Sequence, residues 1–186
     1  MSQFIFSIDK SVSDFFISHA SPALGTFAKA VTFFADMNTI IFVLAIIGVI
    51  SLLKRNSNFV TAVTAVAVSS VVIDFLKNYV ARLRPAQKLY GYVQYGYAFP
   101  SGHAFLAVVL YGLIGYWCAR LCEKKWQKVL VSTLATLFVI FIGFSRIVLN
   151  VHWLSDVLES WILGGIMLFI TIHFHLTTYG SKSHHQ

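Results

Sequence analysis

The stretch Val129–Leu149 reads VLVSTLATLFVIFIGFSRIVL, 21 residues with a single charge, Arg146, three places from its end. A helix that crosses the roughly 30 Å hydrocarbon layer needs about 20 predominantly apolar residues, and buried helices of water-soluble cores are shorter. The stretch therefore reads as a membrane span, and it decides how the rest of the chain is read. Four further apolar runs follow the same rule: Met37–Leu53, Phe59–Leu76, Ala104–Cys122 and Trp153–Leu176. The first two sit near the lower length limit and need flanking residues to complete them. Phe59–Leu76 is rich in Val and Thr, a poor helical composition in water. In hydrocarbon the backbone must satisfy its own hydrogen bonds, and that imposes a helix regardless.

Composition agrees. Of 186 residues, 58% are hydrophobic and 11% charged, and mean hydropathy is +0.75. Water-soluble domains carry about 25% charged residues. The net charge of +7 lies in short clusters between apolar runs, which argues for membrane topology and an anionic substrate and against nucleic acid. Cys118 and Cys122 share a helix face without completing a zinc pattern, and read as free thiols. The N-terminus shows no basic region followed by an apolar core and a small-residue cleavage site, so no cleaved signal peptide is expected.

The expected fold is all-α: an integral membrane helical bundle of five to six transmembrane helices with an N-terminal amphipathic segment. Residues 1–36 form that segment, as interfacial helices or as an extra span. The run from Ser11 to Ala35 contains Asp14, His19, Pro22 and Lys29, which favours the interfacial reading. Residues 37–176 form the membrane domain and 177–186 a cytoplasmic tail. Lys54 and Arg55, then Arg120, Lys124, Lys125 and Lys128, then Lys182 fall on one side if the spans alternate, and that side should be the cytoplasm. The segment Lys77–His103 and the short turn Leu149–Trp153 then share the outer face. The outer segment carries Lys77, Arg82, Arg84 and Lys88 against the positive-inside tendency, so anion binding is the natural explanation. Its tyrosines, Tyr79, Tyr90, Tyr92, Tyr95 and Tyr97, suit a surface at headgroup depth.

Three polar clusters converge at those outer ends: Lys77 to Arg84-Pro85; Pro100-Ser101-Gly102-His103; and Ser145-Arg146, His152 and Asp156. Lys77, Arg84 and Arg146 supply three fixed positive charges, the arginines as bidentate forks for phosphate oxygens. Ser101 and Gly102 precede an apolar helix, whose free N–H groups and dipole favour an anion. Ser101 can add a hydroxyl donor. His152 and Asp156, four apart, would share a helix face. The carboxylate would hold one imidazole nitrogen protonated and free the other to attack. His103 suits the general acid. His103, His152 and Asp156 could in principle bind zinc, but three nearby cations would repel it and already supply charge stabilisation. No metal and no cofactor are expected.

Lys-x6-Arg-Pro, Pro-Ser-Gly-His and Ser-Arg-x5-His-x3-Asp in this order resemble the three signature motifs of the type 2 phosphatidic acid phosphatase family. Lys77, Arg84, Pro85, Pro100, Ser101, Gly102, His103, Ser145, Arg146, His152 and Asp156 match position by position. The resemblance covers about residues 37 to 176. It implies a helical bundle in the cell (inner) membrane with an extracytoplasmic or periplasmic active site and no metal. It implies phosphate binding by Lys77, Arg84, Ser101, Gly102 and Arg146, with His152 as nucleophile, Asp156 as its orienter and His103 as acid. It also implies a bilayer-held lipid phosphate or diphosphate as substrate, with undecaprenyl diphosphate and phosphatidylglycerol phosphate ranked first. A phosphotransferase using the same site and a non-catalytic lipid-binding protein are the rivals. One departure is Ser160, where members often have glycine. Arg82 and Lys88 are expected to touch headgroups, Asp74 to pair with Lys77, tune it or cap the interface, and Glu159 to face the bundle. His173, His175, His184 and His185 lie across the membrane from the site and receive no catalytic role. Oligomeric state is not legible.

Overall fold

The structure, a computed structural model, describes residues 3–179. Two short helices come first, α1 (Gln3–Ser18) and α2 (Pro22–Thr32), joined by a 3-10 turn (Phe33–Ala35) to five long ones. These are α3 (Met37–Lys54), α4 (Asn58–Val80), α5 (Gly102–Leu121), α6 (Lys125–Val148) and α7 (Leu154–Tyr179). All five long helices have the length and apolarity to cross a membrane. The chain is a multi-pass membrane protein, and its outward faces agree: Phe42, Leu52, Val71, Phe75, Ile162 and Phe169 are all exposed. α7 continues to Tyr179, into the first residues of the expected tail. Lys182, His184 and His185 lie outside the described residues.

Among the described residues, neither N-terminal helix is long enough to be a span by itself. At 1.5 Å per residue, α1 and α2 reach about 24 and 17 Å, short of the roughly 30 Å hydrocarbon layer. α1 buries its polar Asp9 and Ser13 and exposes Phe4, Phe6 and Phe15. With Lys10 and Asp14 exposed as well, this mixed surface suits the boundary between headgroups and acyl chains. Ser21 starts α2 by accepting the Leu24 N–H, with Pro22 in the first turn.

α5 is the central helix, packed against α4, α6 and α7. Its Phe105, Val109, Leu110 and Leu113 meet Ile40 and Ile47 of α3 and Ala62, Val66 and Ile73 of α4. Small residues set the close approaches, as expected where lipid is as apolar as leucine. A Cβ on Gly164 of α7 would lie 3.0 Å from the Phe105 carbonyl oxygen of α5.

Because the long helices alternate, the C-terminal ends of α4 and α6 share one end of the bundle with the N-terminal ends of α3, α5 and α7. The basic residues Lys54, Arg55, Arg120, Lys124, Lys125 and Lys128 lie at the other end, between α3 and α4 and between α5 and α6.

Candidate active site

His152 sits in the turn before α7 rather than on the helix itself. It shares no helix face with Asp156, in contrast to the spacing argument. The turn is built by Asn150, which adopts a left-handed φ of 53°, a conformation asparagine tolerates. Asn150 is buried, accepts a hydrogen bond from Ser13 of α1 (2.8 Å) and donates to the Gln87 carbonyl (2.6 Å). α1, the long loop and the turn are thereby fixed together two residues before the histidine.

The His152 side chain is 0% exposed. Its Nε2 lies 3.0 Å from Arg84 Nη1. Arginine can only donate, so Nε2 must present its lone pair and the proton resides on Nδ1. Nδ1 points toward Asp156 Oδ2 at 3.8 Å, too long for a hydrogen bond, and has no other partner. The expected carboxylate–imidazole hydrogen bond is therefore not made. Asp156 is held instead by the Trp153 N–H on Oδ2 (2.9 Å) and by Arg82 on Oδ1. Burial pushes the imidazole well below its usual pKa, and the charges of Arg146, Arg84 and Lys77 push the same way. Burial among cations thus favours the neutral imidazole, with Nε2 unprotonated toward Arg84.

The cations are held from behind. Arg84 donates to the carbonyls of Val151 (2.6 Å), Gly96 (2.8 Å) and Tyr97 (2.9 Å), and Lys77 donates to the same Tyr97 oxygen (2.8 Å). Burial and the neighbouring Arg146 charge lower the Arg84 guanidinium to about 10, still charged at neutral pH. Arg146 is fully buried; its Nη1 meets the hydroxyls of Thr32 and Tyr92, and the Tyr92 ring lies 5.1 Å from the guanidinium carbon. Its Nε and Nη2 have no protein partner. Two buried charged donors on one edge of a guanidinium match the two oxygens of a phosphoryl group.

His103, in the first turn of α5, places Nε2 2.8 Å from Asp36 Oδ1. Asp36 precedes α3 at the position where a carboxylate usually caps the helix, yet it makes no cap bond. Ser101 engages its backbone N–H but keeps its hydroxyl hydrogen to donate. Its N–H donates to Ser160 Oγ (2.8 Å), and its Oγ faces the Ala104 N–H at 3.5 Å. The first-turn N–H groups of Gly102 and His103 have no carbonyl of their own helix to bind. Ser145 turns back to the Ile142 carbonyl (2.6 Å) and stays within its helix.

Three further expectations are corrected, and one alternative for Asp74 is removed. Arg82 is no headgroup contact, because its fork joins Asp156, Ser155 and Asp9. Glu159 is exposed rather than facing the bundle. Asp74 makes no ion pair with Lys77 among the described residues. Tyr79 and Tyr95 are exposed, but Tyr90 packs against Gly25 of α2 and Tyr92 against Arg146. Sequence reasoning missed Asp9, Thr32, Asp36 and Asn150. The available signals were an acid inside an apolar amphipathic run and an acid immediately ahead of a span.

The architecture defines a class: a membrane bundle with a buried cationic pocket around two histidines at one end of its spans. The sequence profile of the PAP2 superfamily matches residues 58–179. The chain belongs to the PAP2 superfamily. It is 31% identical over 102 residues to phosphatidylglycerophosphatase B of Bacillus subtilis (strain 168), covering 53% of this chain and 49% of that one. It is 27% identical over 127 residues to an undecaprenyl-diphosphatase of Sulfolobus acidocaldarius, covering 63% and 55%. The matches thus span about half the length of these curated relatives. Among solved structures, a transmembrane PAP2 type phosphatidylglycerolphosphate phosphatase from Bacillus subtilis superposes with a TM-score of 0.88 at 22% identity, covering 95% of this chain and 89% of that one. LpxE of Aquifex aeolicus superposes with a TM-score of 0.69 at 19% identity, covering 88% and 93%. These two likenesses concern the fold.

Proposed function

We propose that the protein is a lipid phosphatase that works through a phosphohistidine on His152, without a metal, at the extracytoplasmic face of the cell membrane. The observation that carries this reading is the His152 ring: Nε2 presents a lone pair to the cationic pocket while Nδ1–H faces a carboxylate. Binding alone does not require a deprotonated nitrogen aimed among cations.

In the first step Nε2 attacks phosphorus in line with the leaving oxygen. Lys77, Arg84 and Arg146, with the N–H groups at the start of α5, offset charge on the equatorial oxygens. The phosphorus–oxygen bond breaks and His103 gives the leaving oxygen its proton. Asp36 on Nε2 leaves Nδ1 of His103 to exchange that proton. The Nδ1–H of phosphorylated His152 becomes strongly acidic, which favours closure of the 3.8 Å gap to Asp156. Water then attacks the phosphohistidine, His103 takes the water's proton, and phosphate leaves. Zinc is disfavoured because the same three cations surround the two imidazoles.

The substrate is a phosphate monoester or diphosphate of a lipid. The exposed Phe4, Phe6 and Phe15 of the amphipathic α1 suit an amphiphile whose tails stay in the bilayer. Phosphatidylglycerol phosphate and undecaprenyl diphosphate rank first, following the names of the relatives. The test is kcat/KM on phosphatidylglycerol phosphate, undecaprenyl diphosphate and phosphatidic acid, with His152→Ala as control. Full phosphate release by His152→Ala would remove the nucleophile assignment. Release only in the presence of an alcohol acceptor would mark a phosphotransferase.

A further inference from the structure

The superfamily match begins at residue 58, yet α1 sends a charged side chain to the same end of the bundle. Asp9 is 1% exposed. Its Oδ2 accepts from Arg82 Nη2 (2.6 Å) and from the Ser155 hydroxyl (2.6 Å), and its Oδ1 accepts the Ser155 N–H (2.9 Å). Arg82 Nη1 in turn donates to Ser155 Oγ (2.8 Å) and to Asp156 Oδ1. The result is a buried chain of charges, Asp9–Arg82–Asp156, that ends one residue pair away from His152.

We propose that Asp9 is a positioning residue for the reaction, acting through Arg82 to hold the Asp156 carboxylate ready for the His152 Nδ1–H. The inference rests on the reading of His152 as nucleophile. A guanidinium tied to one carboxylate can pivot around it. Arginine's rigid fork tied to a carboxylate on each arm cannot. With Oδ1 of Asp156 fixed by Arg82 and Oδ2 by the Trp153 N–H, the second lone pair of Oδ2 stays aimed at the imidazole. Asp9 also shares the Arg82 charge, so Asp156 keeps more of its own negative charge for the cation that forms on phosphorylated His152. A purely structural cement between α1 and α7 would need no charge. Buried ion networks cost desolvation that apolar packing avoids.

The test uses the full chain purified in detergent and the lipid phosphate turned over fastest in the panel above. Asp9→Asn is expected to lower kcat roughly ten- to a hundredfold, the size of effect that a misplacement of about 1 Å produces. KM and the inhibition constant of vanadate are expected to stay at wild-type values, since the phosphate cradle is untouched, while the thermal midpoint falls because Arg82 loses a buried charged partner. Asp9→Glu is expected to recover part of the loss. Arg82→Lys keeps the charge but loses the fork, and is expected to reproduce the kcat defect; it decides the matter if Asp9→Asn does not fold. Wild-type kcat in a folded Asp9→Asn or Arg82→Lys protein overturns the inference, as does a loss confined to KM or to the thermal midpoint. His152→Ala runs alongside. If it is inactive while Asp9→Asn is fully active, this inference alone fails; if it is active, the nucleophile assignment fails and this inference with it.

Discussion

Arg146→Lys removes one feature of the site and leaves its charge. In the wild-type chain the guanidinium is fully buried, Nη1 is taken by Thr32 and Tyr92, and Nε and Nη2 have no protein partner. A phosphoryl group would receive two parallel charged hydrogen bonds from that edge. Lysine supplies a point charge and one aimed donor at most, so one charged hydrogen bond is lost, worth about 1.5–3 kcal/mol. At 1.36 kcal/mol per factor of ten, this is about a 10- to 150-fold loss in affinity for a phosphate-like anion. The assay is the inhibition constant of vanadate, with kcat/KM on the same lipid phosphate and the thermal midpoint as a folding control. Both constants should worsen by similar factors. A folded Arg146→Lys protein that binds vanadate as tightly as wild type would refute the claim that this edge holds the phosphoryl oxygens.

Three further outcomes are expected. The His152 imidazole should remain neutral well below its usual titration range, so its nitrogen NMR shifts should stay constant from pH 7 to about 5.5; protonation near pH 6.5 would contradict the buried cationic environment. The linked stability has a definite sign: below about pH 6.5 the unfolded chain takes up a proton that the folded chain refuses, so the contribution present above that pH is lost as pH falls, by about 1.4 kcal/mol per pH unit. The gap in thermal midpoint between wild type and His152→Asn should change accordingly between pH 7 and 5. Ser160→Gly should leave the buried Ser101 N–H unpaired, costing about 1–3 kcal/mol; an unchanged midpoint would show that this link between α5 and α7 contributes nothing. EDTA should leave activity intact while vanadate abolishes it, and activity lost to EDTA and restored by zinc or magnesium would contradict metal independence.

The five spans were legible because hydrocarbon imposes length: Val129–Leu149 could hardly be anything else, and its observed bounds move by only a few residues. The family and the convergence of Lys77, His103, Arg146 and His152 were legible because three fixed-spacing motifs alternate with spans of known direction. What lay hidden was the support behind them. Asp9 meets Arg82 across 73 residues and Thr32 meets Arg146 across 114, and no periodicity links such pairs. Arg82 and Arg84 look equivalent in sequence, two residues apart beside a proline, yet one reaches the carboxylate and the other the imidazole. Spacing suggested a helical His152–Asp156 pair, but the left-handed Asn150 and the turn after it place the histidine before the helix. The Ser101 N–H looked free at the start of α5 because its partner Ser160 lies 59 residues away.

The central claim is that the imidazole of His152 carries the phosphoryl group during turnover. Rapid quenching of the enzyme with its lipid phosphate into alkali, followed by peptide mass spectrometry, reads this directly. The account predicts an acid-labile, alkali-stable phosphoryl group on His152 that appears within the first turnover and is absent from His152→Ala. Product formed at the normal rate in the first turnover, with His152 unmodified at every quench time, would contradict it.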